Sequence, residues 1–275
     1  MVGFDEWRRG VAPRPLTTGS AFYETARLSP DGHSLAVVRT ESDGLSLQIL
    51  SLQGGPPREV ARFVTTGGLS WSPSGDQLVV TVVDPDSGKG LRIFPAMGGA
   101  SRTVFYGAVG DTPDWMDDST VVVPRLGNHT LQVVKPFAGK HYLVPGLDTT
   151  GWMLWPRTSP DGRRVAFAWN AGHGRQGVYS LTLADSSLDT LMAGLMNPAG
   201  WARDGRTVFL IGGGFLADTD RVLAVHADGT GRTVLGSFPF GMEVLDVSSD
   251  GKAAVINLHG QRSDAWVLQF PPGAR

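Results

Sequence analysis

The chain has no cysteine. Disulfides, thiolate metal sites and cysteine nucleophiles are therefore excluded, although the compartment is not identified by that absence. Charge of one sign is also missing. Lys+Arg 24 against Asp+Glu 26 gives a net charge of −2 over 275 residues, so nothing favours nucleic acid or an anionic membrane as partner. No apolar run approaches the roughly 18 residues of a membrane span. Met1–Gly10 (MVGFDEWRRG) lacks the apolar core of a signal peptide. The expectation is a cytoplasmic protein as written, or an extracytoplasmic one if this is an excised domain of an exported or membrane protein. No segment holds a helical period of apolar residues. No Gly-x-Ser-x-Gly elbow, kinase signature, phosphate loop or dinucleotide fingerprint is present.

What the chain does have is a recurring tetrapeptide. Ser29-Pro30-Asp31-Gly32 returns as Ser72-Pro73-Ser74-Gly75, Met116-Asp117-Asp118-Ser119, Ser159-Pro160-Asp161-Gly162, Ala202-Arg203-Asp204-Gly205 and Ser248-Ser249-Asp250-Gly251. The closing residues fall at 32, 75, 119, 162, 205 and 251. A period of this size marks a solenoid, a propeller or an array. Proline presets φ for a type I turn, Asp or Ser bonds to the local backbone, and glycine takes the left-handed position. Each copy should therefore join two antiparallel strands. A large apolar residue stands before four of the turns (Leu28, Trp71, Trp115, Trp201), and a β-rich run follows each one.

Each repeat reads as four short strands, a and b around the tetrapeptide, then c and d. The sixth repeat ends after its c strand, Ala265–Phe270, and lacks a d strand. Pro13–Thr17 resembles the other d strands, as in Pro57-Arg58-Glu59-Val60. The predicted fold is all-β: a six-bladed β-propeller of four-stranded antiparallel blades, closed by the N-terminal strand. One domain is expected over residues 1–275, with 1–11 an N-terminal extension, 12–270 the propeller and 271–275 a tail.

The apolar residue, Ser-Pro-Asp-Gly, two further residues and an apolar strand resemble the propeller repeat of the TolB family, over residues 12 to 270. The turn Leu52-Gln53-Gly54-Gly55-Pro56-Pro57-Arg58 is most similar to the stand-alone propellers and those linked to bacterial serine/threonine kinases. The resemblance implies a sensor or scaffold domain, part in some relatives of a larger kinase- or peptidase-containing protein. TolB's additional α/β domain has no counterpart in this sequence, which puts a TolB role in doubt.

Candidate chemistry is sparse. Asp84-Pro85-Asp86-Ser87-Gly88-Lys89-Gly90 begins like a calcium loop, but Gly88, Lys89 and Pro95 occupy positions five, six and twelve. No metal, cofactor or catalytic residue is expected. Trp71, Trp115 and Trp201 read as blade packing, His226 as a packed strand residue, and Trp152 and Trp155 as lying towards the channel mouth. The d–a and b–c loops vary while the a–b and c–d turns are regular, and variable loops on a rigid scaffold are where binding resides. The expected function is a non-catalytic module recognising a protein, peptide or small polar ligand there, through Asp111, Trp155, His173, Arg175, Glu243, His259 and Arg262. The alternative is a propeller enzyme of lactonase, lyase or hydrolase type. Its site would lie at the channel mouth, where Glu24, Asp111 and Glu243 begin strands.

Overall fold

The computed structural model describes residues 14–17, 22–63, 66–127, 129–148, 150–172, 176–212, 219–239, 242–258 and 265–269. Among them every regular element is a strand, numbered here in chain order. The first blade is β2 (Tyr23–Leu28), β3 (Ser34–Glu41), β4 (Gly44–Ser51) and β5 (Arg58–Phe63). The second is β6 (Thr66–Trp71), β7 (Gln77–Asp84), β8 (Gly88–Pro95) and β9 (Arg102–Tyr106); the third is β10 (Asp114–Asp117), β11 (Thr120–Arg125), β12 (Thr130–Lys135) and β13 (Lys140–Leu143). The fourth is β14 (Trp152–Thr158), β15 (Arg164–Asn170), β16 (Gln176–Thr182) and β17 (Leu188–Ala193). The fifth is β18 (Asn197–Trp201), β19 (Thr207–Gly212), β20 (Thr219–His226) and β21 (Arg232–Pro239). All are antiparallel meanders.

The expectation of a six-bladed propeller is corrected by the sheet topology. Five blades, not six, are self-contained runs of four consecutive strands. The remaining sheet is a composite, in the order β1-β24-β23-β22. Three strands come from one end of the described chain: β22 (Met242–Val247), β23 (Ala253–Leu258) and β24 (Ala265–Gln269). The fourth, β1, is only Arg14–Pro15 and comes from the other end, pairing as Arg14↔Val267 and Pro15↔Trp266. Of the expected Pro13–Thr17 strand, Arg14 and Pro15 pair, Leu16 and Thr17 do not belong to the strand, and Pro13 lies outside the described residues. Proline donates no ladder hydrogen bond, which suits Pro15 to an edge strand.

The core is divided into slabs between adjacent sheets. The strand after each tetrapeptide is apolar on both faces because each face meets a different neighbour. Ala36 and Val38 of β3 pack with Leu69, Trp71, Leu78 and Val80 of the second blade. Leu35 and Val37 of the same strand pack with Val255 of β23. The slab joining the fifth blade to the composite sheet contains Phe209, Val222, Ala254 and Ile256. Inner strands β2, β6, β10, β14, β18 and β22 touch in succession, and β22 returns to β2.

The turns behave as their residues require. Gly32, Gly75, Gly162, Gly205 and Gly251 have φ of 74°, 78°, 69°, 64° and 66°. In the first copy Ser29 Oγ donates to Asp31 Oδ1 at 2.5 Å, and the His33 amide donates to the same oxygen at 2.9 Å. The Asp161 and Asp250 carboxylates accept from Ser159 Oγ and Ser248 Oγ in the same way. His226 departs from expectation. It is exposed rather than packed, and its Nδ1 lies 3.4 Å from Thr230 Oγ1 at the end of the β20–β21 turn.

Candidate functional site

Two cavities open at opposite ends of the central channel. The larger, of about 360 Å³, is walled by the starts of inner strands and the loops leading into them, including Glu24, Thr25, Asp111, Thr112, Trp155 and Asn197. The smaller, of about 170 Å³, lies among the Ser-Pro turns, including Ser29, Pro30 and Ser249. Arg27, Arg157 and Ala199 border both.

Aligning the repeats on the tetrapeptide explains this waist. The residue before Leu28, Trp71, Trp115, Thr158, Trp201 and Val247 is, in ring order, Arg27, Ser70, Asp114, Arg157, Gly200 and Asp246. All six border the smaller cavity. Most inner strands carry a register irregularity just before this position, as between Leu154 and Arg157, Pro198 and Gly200, and Val244 and Asp246. A bulge re-aims the next side chain, and here it sets a polar belt inside an apolar fold.

The two belt carboxylates latch sheets together. Asp114 accepts from Ser70 Oγ at 2.8 Å and from the Thr158 amide at 2.7 Å. Asp246 accepts from the Leu28 amide at 2.8 Å and from its neighbour Val247 at 3.0 Å, and lies 4.0 Å from Arg27 Nη1. Burial pushes both carboxyls up to about 6, against the opposing pull of these donors and of Arg27. Arg157 is 5% exposed. Its Nε donates to Ala199 O at 3.0 Å and its Nη1 to Pro156 O at 2.8 Å, while its own carbonyl accepts from Trp201 Nε1 at 2.8 Å.

The mouth is placed by glycine. A Cβ on Gly68 would lie 2.4 Å from the Asp111 carbonyl oxygen, and one on Gly67 would meet the Asp111 side chain at 2.6 Å. Only glycine allows that approach, and the Gly68 amide donates to the Asp111 carbonyl. The Asp111 carboxylate points to the exposed rim, 2.5 Å from Lys89 Nζ. Trp155 sits at φ 51°, a left-handed conformation rare for a bulky residue, and its amide donates to Thr112 Oγ1 at 3.2 Å. Such strain in a cavity wall is a feature of functional sites.

Of the sequence candidates, Asp111 and Trp155 come together at this mouth. The backbone of Glu243 is in β22, and its side chain lies outside the described residues. His173, Arg175, His259 and Arg262 also lie outside the described residues. Trp152 is exposed, edge-to-face with His129 at 4.0 Å. Asp84 accepts the amides of Asp86 and Ser87, both at 3.0 Å, so one carboxylate oxygen caps its own turn. The belt was missed by sequence reasoning. Its signal was a polar residue two places before the turn in five of the six repeats, visible once the repeats are stacked in register.

Comparison with known proteins adds the fold context. No family model matches the chain, and no curated protein matches it. Solved structures do. A protein described as TolB from Agrobacterium tumefaciens superposes with a TM-score of 0.70 at 20% identity, over 94% of each chain. The chain has the fold of the TolB-like propellers. TolB from Acinetobacter baumannii gives a TM-score of 0.66 at 13% identity, over 96% of this chain and 70% of that one. An oligogalacturonate lyase in complex with manganese gives 0.65 at 14%, over 94% and 79% respectively.

Proposed function

We propose that this propeller is a non-catalytic binding module whose ligand enters the mouth cavity. The observation that carries this reading is the cavity itself, built by inner strands of adjacent blades and furnished with Glu24, Thr25, Asp111, Thr112, Trp155 and Asn197. Its walls offer hydrogen-bonding groups and one large ring, the furniture of a recognition site. A peptide, a protein segment or a small polar molecule suits such a site. His173, Arg175, Glu243, His259 and Arg262 belong to the same proposed face by their places in the repeat.

The enzyme reading has one point in its favour, the shared fold with an oligogalacturonate lyase. Fold alone does not carry chemistry. Among the described residues, no three His, Cys, Asp or Glu side chains are grouped to hold a metal. Glu24 and Asp111 face the mouth, and Asp111 is engaged by Lys89.

The test is substitution face by face once a partner has been purified and identified. Glu24→Ala with Asp111→Ala alters the mouth; Arg163→Ala with Arg206→Ala alters the turn face. Loss of binding only in the mouth variant is expected. Loss only in the turn-face variant overturns the reading, and turnover of a ligand abolished by Asp111→Asn replaces it with the enzyme.

A further inference from the structure

The channel waist holds a cation that no described carboxylate answers. Arg157 is 5% exposed. A guanidinium has five N–H donors, and the two bonds Arg157 donates among the described residues go to neutral carbonyls, Ala199 O and Pro156 O. None of the ion pairs among the described residues includes it. Arg27, by contrast, lies 4.0 Å from Asp246. A buried cation without a counter-ion is costly, and that cost falls when an anion arrives.

The surroundings leave room for one. The belt position after Arg157 is Gly200, which puts no side chain beside the guanidinium. Arg157 also borders the mouth cavity, where Thr112 and Asn197 offer neutral hydrogen-bonding groups. Glu24 and Asp111 stand at that mouth, and Asp114 and Asp246 share the belt with Arg157. This negative setting repels a multiply charged anion. A single carboxylate matches the planar fork of a guanidinium and adds only one charge.

We infer that Arg157 anchors a carboxylate-binding subsite at the floor of the mouth cavity, taking a peptide C-terminus or a small organic acid. The inference rests on the binding reading above and names the chemistry of its ligand. Amine or hydroxyl groups on the same ligand fall near the acidic and polar groups of the mouth.

The test begins with the unaltered protein. Calorimetric titration with triglycine, triglycine amide, glycolate and inorganic phosphate separates the cases. Triglycine should bind roughly tenfold or more tightly than its amide, because the amide cannot form the charge-assisted pair. Glycolate binding as tightly as triglycine assigns the site to a small acid; triglycine binding tighter assigns it to a peptide end. Arg157→Lys keeps the cation but loses the fork, and should weaken triglycine roughly tenfold. Equal binding of triglycine and its amide, no binding of either acid, or phosphate as the tightest probe overturns the subsite. If that happens while a partner still binds and is lost in the mouth variant, the subsite alone has failed. If no partner depends on the mouth face, the binding reading has failed instead.

Discussion

Asp246 and Asp161 show how one residue type does opposite work at two places. Asp161 lies in a turn, where the Ser159 hydroxyl and then the Arg163 amide hold its carboxyl below the ordinary carboxylate value of 3.8. Its contribution is present above that value and is lost on acidification. Asp246 is buried in the belt and pushed up to about 6. A carboxyl raised in this way gives its full contribution below 3.8 and loses it as pH rises through about 6. Asp114 follows the same direction, softened by its partly exposed place on the channel. Asp246→Asn should therefore flatten the loss of stability between about pH 5 and about pH 8, by on the order of 1 kcal/mol. Urea midpoints at the two pH values check this, and an unchanged difference rejects the assignment. At Gly162, φ is 69° and a Cβ would lie 3.0 Å from the Met116 carbonyl oxygen. Gly162→Val should cost more than about 1 kcal/mol in chemical denaturation, because a β-branched residue is strained there.

At the scale of elements, blades are joined by packing slabs and by single hydrogen bonds crossing between inner strands. Trp71 Nε1 donates to Arg27 O at 2.9 Å, and Trp201 Nε1 to Arg157 O at 2.8 Å. Trp115 holds the equivalent place, yet its buried Nε1 has no hydrogen-bond partner. Replacing each tryptophan by phenylalanine removes similar bulk but a bond in only one case. Trp201→Phe should destabilise by about 1 kcal/mol more than Trp115→Phe, measured as paired unfolding free energies. Closure is the other element-scale question. The β1–β24 pairing spans two residues at each strand, but it is the outer edge of the composite sheet. Deleting residues 1–17 exposes the β24 edge and should lower the melting temperature. An unchanged melting temperature would show that the slabs alone close the ring.

For the whole molecule, the repeat was legible because turn chemistry is local. Ser-Pro-Asp-Gly specifies its own hydrogen bonds and its positive φ, so the turns closed by Gly32 and Gly162 form as read from the sequence. The closing strand was legible as a missing partner. The belt was not, because Arg27, Asp114, Arg157 and Asp246 lie far apart in the chain and each looks like an ordinary polar strand residue. Bulges are likewise invisible in an apolar pattern, since they depend on how neighbouring sheets meet. Deeper consequences of the mouth follow from the same geometry: Gly68→Ala forces a Cβ to 2.4 Å from the Asp111 carbonyl, so it should weaken ligand binding even though it touches no ligand. A titration of the purified partner against this variant measures it.

The sequence by itself determined the strand class, the period, the turn conformations and the pairing of the two chain ends, because those depend on residues close together or on a partner conspicuously absent. Only the tertiary structure decided that five blades are self-contained and that the described closing pairing rests on Arg14 and Pro15. It alone brought two arginines and two aspartates to one waist and left Arg157 without a carboxylate among the described residues. The physical reason is convergence: a ring places equivalent positions of successive repeats around one axis, where their charges, scattered along the chain, interact within a few ångströms.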